Sequence, residues 1–247
     1  MLKARTPGAM LAAMPLRTRP PARFRRLAAI VLGGRWGVRV LPVLALAALV
    51  VLKVPAALAF PYRVDVGATT VYAERPVGAA IVPVLARADR LLAASPIDEP
   101  GLRRQIVLTD GGWRWRLLAL NLHGAVALRR PFSDVLLFNR SDVARDRVSN
   151  GAAISGTRTL SGTIAHETVH LLVARRIGEW RAARLPVWKR EGYADAVAGE
   201  TSIDPADEAR IRARDPHAPV LAYYDGRRQV AAALRRNGGS VDALLAD

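Results

Sequence analysis

At 247 residues, with 51% hydrophobic side chains, the chain has room for one packed domain and an appendage. Its formal charge of +16 invites a nucleic-acid reading, but ten Lys or Arg and no acid fall within residues 1–59, leaving 27 basic against 21 acidic residues beyond them. The excess belongs to one arm, so the body is only mildly basic and no nucleic-acid partner is expected; the absence of cysteine also excludes disulfides, thiolate ligands and a cysteine nucleophile.

Residues 1–37 form the basic arm, expected on the cytoplasmic side of a membrane. Val40–Leu52 then runs without a charge, the length of a signal-peptide apolar region, and Ala57-Leu58-Ala59 offers a small-x-small cleavage pattern before Phe60. The same segment, residues 38–60, also reads as an uncleaved anchor, with Lys53 near its outer end reaching to the interface. Both readings place residues 61–247 outside the cytoplasm, either membrane-anchored by a single pass or exported.

Along the body, Ala68–Ala73 reads as a strand and Gly78–Ala94 as an amphipathic helix ended by Ser95-Pro96. Gln105–Thr109 is a short apolar strand, followed by a turn at Asp110-Gly111-Gly112. Trp113–Leu120 reads as a helix in which Trp is partly buried beside solvated Arg. Ala125–Leu128 and Val135–Asn139 are further strands. Leu160–Ile177 is a long helix stopped at Gly178. Helices over Val187–Gly199 and Tyr223–Arg236 follow. Strands come first and helices later, so the expected class is α+β.

The long helix carries His166-Glu167-Thr168-Val169-His170. Residues i and i+4 lie one turn apart on the same helix face. Two imidazoles so placed can reach one zinc ion. Glu167 points about 100° away from His166, beside a metal without ligating it, where a carboxylate can take a proton from water acidified by zinc. The flanks Ile164, Ala165, Val169, Leu171, Leu172 and Val173 are apolar nearly all round, so the helix should be buried. Buried histidines and a buried carboxylate need partners, and a metal supplies them.

Two histidines leave a catalytic zinc one protein ligand short. His123 precedes a glycine, and His217 lies in the loop "DPHAP"; both read as surface residues. The position six beyond His170 that would hold a third histidine in another zinc motif is Arg176. "LPVWKREGYADAVAGE" offers a better answer. Glu191 follows His170 after a helix end and a loop, on a helix made otherwise of Trp188, Tyr193, Ala194 and Val197. Asp195 shares its face one turn on and could accept the free N–H of a ligating histidine.

With these residues placed, the chain resembles the gluzincin metallopeptidases, the group that includes thermolysin, in the form of a compact bacterial peptidase domain. The resemblance rests on "TIAHETVHLL" and on the pattern Pro-x-Trp-x-x-Glu-Gly-x-Ala in "LPVWKREGYADAVAG", and is sharp from Thr159 to Gly199. It implies zinc held by His166, His170 and Glu191, a general base at Glu167, and Asp195 behind a ligand. It implies a zincin-like fold in which a small mixed sheet packs on the motif helix, with a peptide substrate lying along an edge strand. Phe132–Asn139 is the expected edge strand. The resemblance also implies a Tyr or His that stabilises an oxyanion; "LAYYDGRRQV" offers Tyr223 and Tyr224, and either also suits core packing. The chain has no room for the C-terminal helical domain of the larger enzymes.

The expected function is therefore a zinc-dependent metallopeptidase. The alternatives are a non-catalytic zinc-stabilised module of the cell envelope and a zinc hydrolase of a non-peptide amide. Against the first stands the intact Glu167, for which a structural site has no use.

Overall fold

The computed structural model describes residues 42–44, 46, 49–50, 53–152, 157–200, 203 and 205–246. The basic arm 1–37 and residues 38–41, 45, 47–48 and 51–52 of the apolar segment 38–60 lie outside the described residues. Among those described, no helix is long and apolar enough to cross a membrane. The chain divides into two compact units, Met1–Ala48 and Leu49–Asp247, and the second holds the sheet and the helices that follow.

The architecture is mixed α/β. Seven strands form one open sheet: β1 (Tyr62–Val66), β2 (Thr69–Ala73), β3 (Arg104–Thr109), β4 (Ala127–Arg129), β5 (Val135–Asp142), β6 (Arg147–Ser149) and β7 (Thr157–Thr159). The order is β1-β2-β3-β5-β6-β7, with β4 also paired to β5. β2, β3 and β5 are mutually parallel, and every other pairing is antiparallel. The parallel centre arises because α1 (Ile81–Leu92) connects β2 to β3, and α2 (Trp113–Ala119) followed by β4 connects β3 to β5. The order "strands, then helices" thus holds only after β5.

Phe132–Asn139 does not provide the edge strand. β5 is flanked by β3 on one side and by β4 and β6 on the other. Val135 to Phe138 are fully buried, as expected of a strand covered on both faces. Among the described residues β1, β7 and β4 each pair with a single neighbour, and β4 pairs with β5 through Ala127↔Phe138 to Arg129↔Leu136.

Side-chain alternation divides the core between the two faces. Ile106, Leu108, Leu136 and Phe138 point to the larger core, shared with α1, α3 (Leu160–Ile177), α5 (Val187–Ala198) and α7 (Pro219–Arg236). Val107, Val135 and Leu137 point to the other face, against Leu58 and the α2 residues Trp115 and Leu118. The "WRWR" expectation holds in part: Trp115 is buried beside an exposed Arg116, but Trp113 is exposed. Short helices α4 (Glu179–Arg184), α6 (Pro205–Arg214) and α8 (Val241–Leu245) complete the chain.

α3 starts where Thr159 Oγ1 accepts the amide of Gly162 at 3.0 Å. It stops at Gly178, whose φ of +86° suits glycine and whose N–H closes on Ala174 O at 2.9 Å. Between those ends the helix is buried from Leu160 to Ala174, with only His170 partly open.

Candidate metal centre and its cleft

α3 forms the floor of a cleft of about 880 Å³. One wall is built from α5 and α7, with Arg190, Glu191, Val220 and Tyr223; the other from β4, the Pro131-Phe132 turn and α4 with Trp180. His166, Glu167 and His170 line the floor.

Three donor atoms converge there. His166 Nε2 and His170 Nε2 are 3.1 Å apart, and Glu191 Oε2 is 3.4 Å from each. Two imidazoles and one carboxylate suit zinc, and a tetrahedral ion with ligands at about 2.1 Å separates them by about 3.4 Å. The spacing of this buried group therefore fits the ion. Glu167 is buried at 6% exposure and borders the same cleft.

The surrounding side chains orient these donors. His166 Nδ1, otherwise without a hydrogen-bond partner, lies 2.9 Å from Asp195 Oδ1. Asp195 is itself fully buried and accepts a hydrogen bond from Arg158 Nη2 at 2.7 Å. Arg158 also reaches Glu200 Oε2 at 3.2 Å, and Glu200 accepts the Thr159 amide at the start of α3. A chain of charge-assisted contacts thus ties β7, the motif helix and the end of α5 together. On Glu191, the oxygen turned away from the imidazoles accepts from Arg190 Nε at 2.7 Å. Tyr193 and Ser95 hydroxyls, 2.7 Å apart, pin α5 to the segment after α1.

α5 and α7 meet with no side chain between them. A Cβ on Gly192 would lie 2.3 Å from Gly226 C, and one on Gly226 would lie 3.0 Å from Trp188 Cα. The backbone contact places Glu191 and Tyr223 on adjoining turns of one wall. Tyr223 faces the cleft, while Tyr224 is buried with Ile203, Ile211 and Leu221 in a separate cluster. The pair left open by the sequence is thereby separated by position.

His166, His170, Glu167, Glu191 and Asp195 are brought together. His123 and His217 are exposed and do not line the cleft, and Arg176 pairs with Asp242. Arg158 and Glu200 escape sequence reading because their contacts span 37 and 41 residues. Gly192 and Gly226 did leave a signal: glycine inside a helix costs about 1 kcal/mol against alanine, so it marks a close packing contact.

Charge in the metal-free cluster is set by burial and by these neighbours. Burial disfavours the protonated ring of His166, but the Asp195 and Glu191 carboxylates outweigh it and raise the group to about 9. Burial acts to raise Glu191, yet charge on His170 and the contacts from both imidazoles hold it far below the usual carboxylate range. Asp195 is lowered too, with burial opposed by His166 and Arg158. For His166 the folded value lies above the ordinary 6.5. Its contribution to metal-free stability is complete below about 6.5 and is lost as pH rises through about 9. Below about 9, a zinc ion held through His166 Nε2 would have to displace that proton. Zinc uptake at pH 7.5 should therefore release about one proton per chain, seen in calorimetry as a heat that varies with the buffer's ionisation enthalpy. A buffer-independent heat would contradict this charge assignment.

Comparison of the chain with protein-family models, with curated proteins and with solved structures finds no match.

Proposed function

We propose that the chain is a zinc-dependent metallopeptidase of gluzincin type, with a zincin-like fold, held at or exported across a membrane through residues 38–60. The observation that carries this reading is the convergence of His166 Nε2, His170 Nε2 and Glu191 Oε2 on the floor of a cleft that Glu167 also borders. These three atoms would hold the ion. Zinc in such a site lowers the pKa of a coordinated water to about 7 and polarises a carbonyl.

The chain's own groups supply the rest. Glu167 takes the proton of the attacking water on its carboxylate and hands it to the departing amine. Asp195 holds the Nδ1–H of His166, which leaves Nε2 as the donor toward the ion. Against burial, His166 and after it Arg158 hold the Asp195 carboxyl below its ordinary range. Tyr223 presents its phenol to the oxyanion that develops on the scissile carbonyl. Its own pKa is raised by burial and by the Glu191 charge, so the O–H stays a donor at neutral pH.

A peptide is favoured over another amide by β4. Its open side borders the cleft, and an extended chain added there would gain main-chain hydrogen bonds with little demand on sequence. Metal content of the purified chain, followed by cleavage of a mixed peptide library, tests the reading; a chain that binds zinc and cleaves nothing would refute it. Within it, Tyr223→Phe should lower kcat by about 10²-fold with metal content unchanged. Tyr224→Phe should leave kcat unaltered, and equal effects of the two would remove Tyr223 from its role.

A further inference from the structure

The rim of the cleft carries aromatic side chains that the chemistry does not use. Trp180 on α4 is 69% exposed and Phe132 is 56% exposed, their rings 5.3 Å apart and edge to face. Such a pair facing water calls for a partner. The turn that holds Phe132 is tied down on both sides. Glu179 accepts the Phe132 amide at 2.8 Å and pairs with Arg129. Lys53 Nζ donates to the carbonyls of Pro131 and Phe132, and its charge lies 5.8 Å from the Phe132 ring.

Lys53 identifies the partner. It is the first charge after the apolar run Val40–Leu52, and Leu49, Val50 and Val54 beside it are exposed. Lys53, directly after the run in sequence, is thus fastened to the mouth of the cleft. Trp at the edge of an apolar layer and Lys reaching out of it are the side chains favoured where lipid meets water. Arg184, exposed one turn after Trp180, suits anionic headgroups.

We infer that the Phe132–Trp180 rim rests in the interfacial layer of the bilayer, so that the cleft opens at the lipid surface. Its substrate is then an apolar stretch of polypeptide lying at or leaving that surface. The cleft lining agrees: Val126, Leu128, Val173, Ala182 and Val220 offer apolar contacts to a chain lying over the site. The substrate class rests on the peptidase reading; the placement of the rim does not.

The experiment measures depth and needs no catalysis, so a failed peptidase reading and a failed placement are distinguishable. The chain has no cysteine, so a single spin label can be attached at Trp180→Cys or at Ala183→Cys, which keeps the tryptophan. Both positions are exposed, and neither substitution disturbs the core. Arg147→Cys on β6, also exposed, serves as reference. The full chain is reconstituted into phosphatidylcholine–phosphatidylglycerol vesicles. Labels at 180 and 183 should collide with lipid-soluble oxygen in preference to a water-soluble nickel chelate, at a depth within about 5–10 Å of the headgroup–acyl boundary. The reference label should favour the chelate. Labels at 180 and 183 as open to the chelate as the reference would overturn the placement. So would labels closed to both quenchers, which would put a second protein copy on the rim.

Discussion

Glu167→Gln should keep the metal and lose turnover by about 10²–10⁴-fold in kcat, the span expected for removing a positioned proton-transfer group. The amide has the volume and shape of the carboxylate, so a side chain with 6% exposure can be replaced without opening a void. The candidate ligand atoms lie on His166, His170 and Glu191 and are untouched. Substrate contacts on β4 and the rim are untouched as well, so KM should hold. Zinc per chain and cleavage rate, measured on the same preparation, separate proton transfer from metal loss. A variant that retains zinc and turns over within a few-fold of the parent would end the general-base assignment. One that loses zinc would show Glu167 to be part of the coordination instead.

The second large effect is structural. Gly192→Ala puts a methyl carbon 2.3 Å from Gly226 C and 2.4 Å from its carbonyl oxygen. Those are backbone atoms of a neighbouring helix and cannot swing aside. α5 and α7 must part, at a cost of about 1–3 kcal/mol for overpacking, which lowers Tm by roughly 2–12 °C in a domain of this size. Glu191 precedes Gly192 and Tyr223 lies one turn before Gly226, so parting the helices also moves a candidate ligand and the cleft wall. Zinc affinity should fall together with Tm. Gly124→Ala is the control: nothing lies within 4 Å of its Cβ, and thermal melting should not change. Equal melting of the two variants would mean that the helices can yield at no cost.

The motif helix was legible because one short segment carries everything that defines it: donor spacing, apolar flanks and a stop at Gly178. Glu191 was legible because ligand and helix occur together in sequence, after a gap that one loop can span. The edge of the sheet was not. "VLLF" reads as a strand whatever its place in a sheet, and its unbroken apolar run is the mark of an interior strand. β4 (Ala127–Arg129) overlaps the strand read over Ala125–Leu128, but nothing in so short a strand marks it as one with an open side. The two tyrosines could not be told apart while the helix was taken to begin at Tyr223. It begins at Pro219, a residue that suits a first helical turn, so both rings stand within a formed helix and one step of about 100° sends them to different surroundings. Arg158 and Glu200 act on partners far along the chain, and no local pattern announces them. The reading of residues 38–60 as an anchor or signal segment falls in part outside the described residues.

β4 spans three residues, or about 10 Å. An added strand could exchange only a few main-chain hydrogen bonds there, each worth about 0.5–1.5 kcal/mol net. A free peptide in bulk water would gain little from so short a ledge. On the placement inferred for the rim, a substrate embedded in that bilayer would meet the site at an effective concentration that can reach the order of millimolar. Selectivity would then reside mainly in where the substrate is tethered, and only secondarily in which residues flank the bond that is cut.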